Sequence, residues 1–290
     1  MFLLAGDFAR TSQKAEVHYV LETTSTQDTL RSLPGAAPLT TIVAGVQTQG
    51  RGRLGRSWHS EAGQSLLAST LVVLPDTPVL RDTLGFLTLI AAAAMRSALA
   101  ITTGGQFQVK FPNDIVTPNG LKIAGVLGEF FADTSKRRGE LCLALGVGVN
   151  VYQQGKALFP GSTSLASAGV LNNDEETAVI DQLLSAYLDQ LRERITTFAA
   201  DPDQPNTTDL ITELNAHLAG RGYETTVAGQ TGVIQVLSPR AELIVRTPHG
   251  DVAIAPSEVA MIAEFGQIKP DADLQTATVR ERKSHENTHR

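Results

Sequence analysis

Two apolar runs constrain this chain more than anything else in it. Ser65–Leu74 reads SLLASTLVVL, and Glu140–Val151 reads ELCLALGVGVNV. Neither alternates apolar with polar, and both are rich in β-branched residues. Each therefore reads as a strand buried on both faces, and a sheet holding two such strands needs covering layers. Strands are also expected at Glu16–Glu22 and Thr40–Gln47. Phe107–Phe131 reads as a strand, a break at Pro112 and a hairpin turning on Pro118–Asn119–Gly120. Helices supply the cover. One is expected at Ser25 or Thr26 as N-cap with Asp28 in its first turn. A long Ala-rich helix is expected from Pro78 at N1 to about Ile101. A third spans Glu175–Ala200, and a short one capped by Thr208 or Asp209 ends near Gly220. From Gly222 to Ala263 the texture changes to short alternating strands, ETTVA, GVIQVL, ELIVRT, DVAIA and EVAMI, the pattern of a small all-β module.

The expected architecture is α+β: a mixed or antiparallel sheet backed by helices, with a small β module appended. The 290 residues suit about two domains. The boundaries drawn are 1–220, 221–265 and a polar, disordered tail at 266–290.

Composition narrows the function. A formal net charge of −6 argues against a general nucleic-acid coat, which is basic overall; any anion site has to be local. The one cysteine, Cys142, cannot form an intrachain disulfide and reads as a small buried hydrophobe. The N-terminal MFLLAGDFAR lacks a basic leader region, and LGFLTLIAAAAM is too short to span a bilayer. These features suggest a cytoplasmic protein with no membrane partner.

The local anion site has an obvious candidate. Gly45–Ser60, GVQTQGRGRLGRSWHS, carries Arg51, Arg53 and Arg56 among four glycines and no carboxylate. Glycines let backbone N–H groups approach an anion closely, and guanidinium forks hold phosphate or carboxylate. The segment lacks the Gly-Lys-Ser/Thr ending of a nucleotide P-loop and the downstream acid of a dinucleotide fingerprint. Its composition alone fits a solvated loop, a small-molecule anion site or a nucleic-acid contact. Trp58, the sole tryptophan, either props the loop or offers a face to a ring system. Lys110, Asn113, Asp114 and Lys122 form a second constellation around a strand break. There a turn that bonds to itself competes with a phosphate-directed lysine, and the small residues Ala124, Gly125 and Gly128 leave room beside it. Ser25 and Thr26 either cap a helix or meet a polar ligand. Asn150 ends a buried strand and needs partners.

In this order the pieces resemble the biotin protein ligase family. The resemblance is carried by Ser25–Thr26, by Gln-x-x-Gly-Arg-Gly-Arg-x-Gly-Arg-x-Trp from Gln47 to Trp58, and by Lys110–Asp114. Lys-x-Ala-Gly at Lys122–Gly125 and Gly-x-Asn at Gly148–Asn150 complete it. It covers residues 16–151 strongly and the C-terminal β module loosely. It implies a class II synthetase-like catalytic domain with a small SH3-like barrel. It also implies a two-step reaction in which biotin and ATP, with Mg²⁺ bridging phosphates, give biotinyl-5′-AMP. A lysine of a biotin carboxyl carrier protein then takes the biotin. The implied catalytic residues are Lys122, Arg53 and Arg51. The implied binding residues are Ser25, Thr26, Gln27, Gln47, Gly50, Arg51, Gly52, Arg53, Trp58, Asn113, Lys122, Gly125 and Asn150; no protein metal ligand is assigned. Two departures stand out: Phe111 replaces the usual Trp, and Gln27 stands where many members have Asn. Few residues precede Ser25, so no winged-helix DNA-binding domain and no operator binding are expected. The resemblance is compatible with a monomer or weak homodimer. Two other readings remain: a lipoate or octanoate ligase of the same superfamily, and a non-enzymatic nucleic-acid binder using the arginine loop.

Overall fold

A computed structural model of the chain describes residues 8–131, 139–171, 176–201, 205–227 and 229–264. The expected disordered tail, and the charged turn Thr134–Gly139 apart from its last residue, lie outside the described residues.

The chain runs β1 (Val17–Thr23), α1 (Thr26–Arg31), β2 (Thr41–Gln47), β3 (Gly50–Arg51), β4 (Ser57–Trp58) and β5 (Ser65–Pro75). There follow α2 (Pro78–Asp82), α3 (Gly85–Thr103), β6 (Gln108–Lys110), β7 (Asp114–Val116), β8 (Lys122–Phe131) and β9 (Glu140–Asn150). Two helices, α4 (Glu176–Phe198) and α5 (Thr208–Ala216), precede β10 (Glu224–Val227), β11 (Gln230–Leu237), β12 (Leu243–Thr247), β13 (Gly250–Ile254) and β14 (Ile262–Glu264). Seven strands form one sheet in the order β1-β2-β5-β9-β8-β7-β6. Only β1–β2 is parallel, so the sheet is mixed.

The two long apolar runs are β5 and β9, paired along their whole length from Ser65↔Asn150 to Pro75↔Glu140. Both faces of this pair are covered. Leu143, Leu145, Val147 and Val149 join the large core with residues of α3 and α4, while Cys142 and Ala144 pack with Leu30 of α1, Ile42 and Leu71. Further along that second face the side chains vanish: the residues in step with Cys142 and Ala144 are Gly146 and Gly148, then Asn150. The face thus changes from packed to open along one strand, and the site lies there.

The helix expected from Pro78 to Ile101 is two helices. Thr83, the C-cap residue of α2, donates its hydroxyl to the carbonyls of Val79 and Leu80, both at 3.1 Å, and so satisfies carbonyls that α2 leaves open where it ends. At 19 residues with mean hydropathy 1.6, α3 is long and apolar enough to cross a membrane, longer than the apolar run alone suggested; 67% of it is buried inside the fold. The short C-terminal helix starts at Thr208, with Thr207 in the N-cap position and no side-chain cap.

The C-terminal strands form a separate five-stranded antiparallel sheet, β13-β12-β11-β10-β14. EVAMI, expected as a strand, is mostly a 3-10 turn over Pro256–Met261. Glu258 accepts the Ala255 N–H at 3.0 Å and tightens that turn. Asn215 of α5 bonds both backbone groups of Leu237, at 2.7 and 3.0 Å, and so fastens this sheet to the helical layer.

Asp181 of α4, 4% exposed, fastens the N-terminal segment. It accepts from the backbone N–H of Arg10 and of Thr11, each at 2.9 Å, and from the Thr11 hydroxyl at 2.6 Å. Asp181→Ala strands these donors and is expected to lower the unfolding free energy by about 3 kcal/mol. The check is urea denaturation, where the midpoint falls at unchanged slope. A loss below about 1 kcal/mol would mean that the carboxylate is not what holds the segment.

Candidate functional site

The floor of the site is the glycine stretch of β9 with its neighbours. A Cβ on Gly148 would stand 2.6 to 3.0 Å from three atoms of the Trp58 indole; one on Gly146 would stand 2.9 Å from Nε2 of Gln27. Gly125 lies across from Gly148 on β8, and a Cβ there would stand 3.1 Å from Lys122 Nζ. Indole, amide and ammonium approach the sheet this closely because nothing projects from it.

The start of α1 forms one wall. Ser25 is the N-cap residue but makes no side-chain cap bond. The cap comes from Gln47 on β2, whose Oε1 accepts the Thr26 N–H at 2.8 Å and the Thr26 hydroxyl at 3.0 Å. Thr26 Oγ1 also lies 2.7 Å from Ser69 Oγ on β5. Gln27, 3% exposed, donates Nε2 to the carbonyls of Leu127 and Ala144 at 2.8 and 3.4 Å. Two carbonyls fix which way this amide points, and its buried Oε1 is left with no hydrogen-bond partner. A buried acceptor in that state seeks a donor.

The Gly/Arg segment is a hairpin rather than an open loop. Gly50 pairs with Trp58 and Arg51 with Ser57. A Cβ on Gly50 would collide with the Trp58 carbonyl oxygen. Gly52 donates to the Arg56 carbonyl at 2.7 Å, and the tip turns through positive φ at Leu54 (57°) and Gly55 (72°). The hairpin from Thr48 to Ser57, with Leu127 and Glu129, lines an open cleft of about 660 Å³ on the side away from Lys122 and the indole.

The arginines differ in their surroundings. Arg51, without a counter-charge nearby in sequence, has two in space: Asp28, bonded through both oxygens at 2.8 Å, and Glu129 at 3.3 Å. Arg53 donates to Asn113 Oδ1 at 3.4 Å and to the Pro256 carbonyl, linking the hairpin to the turn before β7 and to the C-terminal turn. Burial holds its guanidinium below the ordinary arginine value, with Asp114 opposing.

Lys122 opens β8. Its backbone bonds Gly161 and Thr163 at 3.0 and 2.8 Å. Its Nζ is 2.7 Å from Asp114 Oδ1 and 5.6 Å from the centre of the Trp58 ring. The β7–β8 hairpin makes this possible by setting Asp114 opposite Gly125. Asn113 is held by Val126, donating its amide to the Val126 carbonyl at 2.9 Å. Burial pulls the Lys110 ammonium below its ordinary value; Asp114 opposes this, and Lys122 and Arg56 add to it. Asn150, 7% exposed, donates to the Thr163 carbonyl at 3.1 Å. Phe111, in place of an indole, is 2% exposed in the core.

Ser25, Thr26, Gln27 and Gln47 thus share one wall. Trp58, Lys122, Gly125 and Gly148 meet over the glycine floor, Arg53 reaches Asn113, and Asn150 ends the floor. Arg51 is drawn instead to Asp28 and Glu129, two residues that sequence reading did not assign to the site. A period-two count along β8 from Leu127 would have put Glu129 on the same face. Ser69, a hydroxyl inside an apolar run, was the other overlooked signal. Among the described residues no three His, Cys, Asp or Glu side chains gather to hold a metal ion.

Residues 17–150 match the model of the biotin/lipoate A/B protein ligase family. The chain is 36% identical over 179 residues to the bifunctional ligase/repressor BirA of Bacillus subtilis, an alignment covering 59% of this chain and 52% of that protein. It is 29% identical over 237 residues to the biotin–[acetyl-CoA-carboxylase] ligase of Paracoccus denitrificans, covering 80% of this chain and 94% of the other. Its fold superposes on the biotin protein ligase of Aquifex aeolicus in complex with biotin and ATP, with a TM-score of 0.67 and 25% identity over 84% of this chain and 97% of that one. The chain spans about half the length of the Bacillus relatives.

Proposed function

We propose, from the match of residues 17–150 to the biotin/lipoate A/B protein ligase family model, that the chain is an ATP-dependent biotin protein ligase. The observation that carries the proposal is the meeting of Lys122, Trp58 and the glycine floor beneath an arginine-bearing hairpin. It offers a cation and an aromatic face at one bare stretch of sheet, which suits an activated carboxyl joined to a nucleotide.

The first step brings two anions together. The biotin carboxylate attacks the α-phosphate of MgATP, a C–O–P bond forms, and pyrophosphate leaves. Two unit charges at about 4 Å repel by roughly 4 kcal/mol at an effective dielectric near 20. Lys122 offsets this and stabilises the charge that builds on the phosphoryl oxygens. Trp58 lies beside the adenine. Ser25, Thr26, Gln27 and Gln47 hold the biotin head, Asn113 and Asn150 flank the adenylate, and Gly50 and Gly52 let the hairpin backbone close over it. In the second step a carrier lysine attacks the acyl carbonyl and AMP departs. Water exclusion by the hairpin keeps the anhydride intact until then. Residues 1–220 form the catalytic unit in this proposal and 221–265 an appended one.

Gln27 favours biotin over lipoate. Its unmatched Oε1 asks for an N–H donor; the ureido ring of biotin has two and a dithiolane has none. The test is intact-mass analysis of a biotin carrier domain incubated with this protein, MgATP and biotin, with lipoate and a lipoyl domain in a parallel tube. One ATP-dependent biotin adduct is expected. An adduct from lipoate alone would move the activity to the sister branch, and none from either acid would end the ligase reading.

Arg53→Gly removes the link between hairpin, Asn113 and the C-terminal turn. The adenylate should then escape and acylate bystander lysines, with nonspecific labelling rising about tenfold, the effect of losing a charged hydrogen bond of about 1.4 kcal/mol. Mass spectrometry of added albumin measures it. Labelling confined to the carrier at the normal rate would refute this role.

A further inference from the structure

Arg51 sits in a closed ring of charge. Its Nη1 and Nη2 each stand 2.8 Å from an oxygen of Asp28 on α1, and Nη2 is 3.3 Å from Glu129 Oε2 on β8. Arg31, one turn along α1, completes the ring: it pairs with the same Glu129 oxygen and lies 3.5 Å from Asp28 Oδ1. Two guanidiniums and two carboxylates leave the ring neutral. Arg51 holds the Asp28 carboxyl below the ordinary carboxylate value, the bond between them outweighing the effect of burial.

The ring joins three elements that each supply site residues. α1 begins at Thr26, β8 begins at Lys122, and the hairpin carries Arg53 and Trp58. Within the hairpin, Arg51 belongs to the paired stem, opposite Ser57. The tip beyond it turns through Leu54, which is 59% exposed. The ring therefore grips the stem, while the tip has its own tie through Arg53 to Asn113 and the Pro256 carbonyl. An anion entering the site gains little from a guanidinium already matched by two carboxylates, whereas Lys122 and Arg53 lie over the floor or beside Asn113.

We propose that Asp28 and Glu129 are positioning residues that hold Arg51 as the anchor of the Gly/Arg hairpin, so that this guanidinium fixes the loop and does not neutralise the ligand. The proposal rests on the ligase reading for its ligand but makes a claim about the loop that is testable without one.

The experiment uses the full chain and two readouts. The first is the dissociation rate of biotinyl-5′-AMP in a chase with excess biotin. Asp28→Asn is expected to speed release about fivefold, the value of a partly exposed ion pair at its upper range. Glu129→Gln, on a different element, should speed it about twofold. Arg51→Gln should exceed both, and Asp28→Asn combined with Glu129→Gln, which keeps the guanidinium but removes both its anchors, should be as leaky as Arg51→Gln to within about threefold. A double variant that holds the adenylate as wild type does while Arg51→Gln leaks would mean that the guanidinium acts on the ligand, and the proposal falls. Unchanged release in Asp28→Asn overturns it equally. The second readout is tryptic cleavage in the hairpin of the ligand-free chain, expected to rise about fivefold in Asp28→Asn. Should the wild type fail to hold the adenylate, the ligase reading is lost, and cleavage alone decides whether the anchor stands. Should Asp28→Asn fail to fold, Glu129→Gln decides both readouts, and no change in either overturns the proposal.

Discussion

Lys122→Gln is expected to reduce biotin-dependent ATP–pyrophosphate exchange by two to three orders of magnitude, roughly the effect of losing one preorganised group at a developing charge. The loss has two parts. An uncharged amide cannot offset the approach of carboxylate to phosphate. It also leaves the Asp114 carboxylate, 2.7 Å from Nζ in the native chain, without its cation and facing the incoming phosphates. The second part can be measured apart from the first. Lys122→Gln combined with Asp114→Asn removes the uncompensated anion and should recover about tenfold of the lost rate, the scale of one neighbouring charge at an effective dielectric near 20. Lys122→Arg should not restore activity, because a planar guanidinium does not reproduce the compact charge that sits over Gly125 between Asp114 and the Trp58 ring. Circular dichroism would show that each variant folds. Exchange near the wild-type rate in Lys122→Gln would remove this lysine from the chemistry and, with it, the main support for the proposed first step.

Features readable from the sequence were those set by local pattern. The runs at Ser65–Leu74 and Glu140–Val151 each announce a strand covered on both faces, because burial on both faces leaves no polar alternation to keep. The turn at Pro118–Asn119–Gly120 announces the β7–β8 hairpin, since few other residues suit it. What local pattern cannot convey is pairing across the chain. Arg51 looks unpaired in its own segment because its partners lie 23 and 78 residues away. Asp28 reads as an ordinary first-turn acid on α1, and only the three-dimensional placement of the hairpin gives it a second role. Likewise Gln47 caps α1 from another strand, so the hydroxyls of Ser25 and Thr26 are not spent as their positions suggest.

One pattern was in plain sight. In GVGVN the valines and glycines alternate with the period of a strand, so that Val147 and Val149 enter the core and Gly146 and Gly148 leave the other face bare. This alternation yields the second strong prediction. Gly148→Val places a Cβ within 3.0 Å of three indole atoms, closer than packed atoms approach, so the Trp58 ring must leave the floor. Trp58 is paired with Gly50 in the hairpin, and its displacement tilts the lid as well as removing the aromatic face beside Lys122. The expected result is a rise in KM for ATP of about one to two orders of magnitude, the loss of one base–aromatic stack worth about 1–3 kcal/mol. KM for biotin should change far less, because the wall formed by Ser25, Thr26 and Gln27 is untouched. Fold stability should hold, since valine suits a strand. As the sole tryptophan, Trp58 also reports its own position: the variant's emission should shift to the red and lose its response to ATP. Val147→Ala, one residue away on the core face, provides the contrast, with stability lowered by about 1 kcal/mol or more and little change in KM. If Gly148→Val instead keeps both the native emission and the native KM, the bare strand is not what seats the indole, and the nucleotide side of the site has to be sought elsewhere on the sheet.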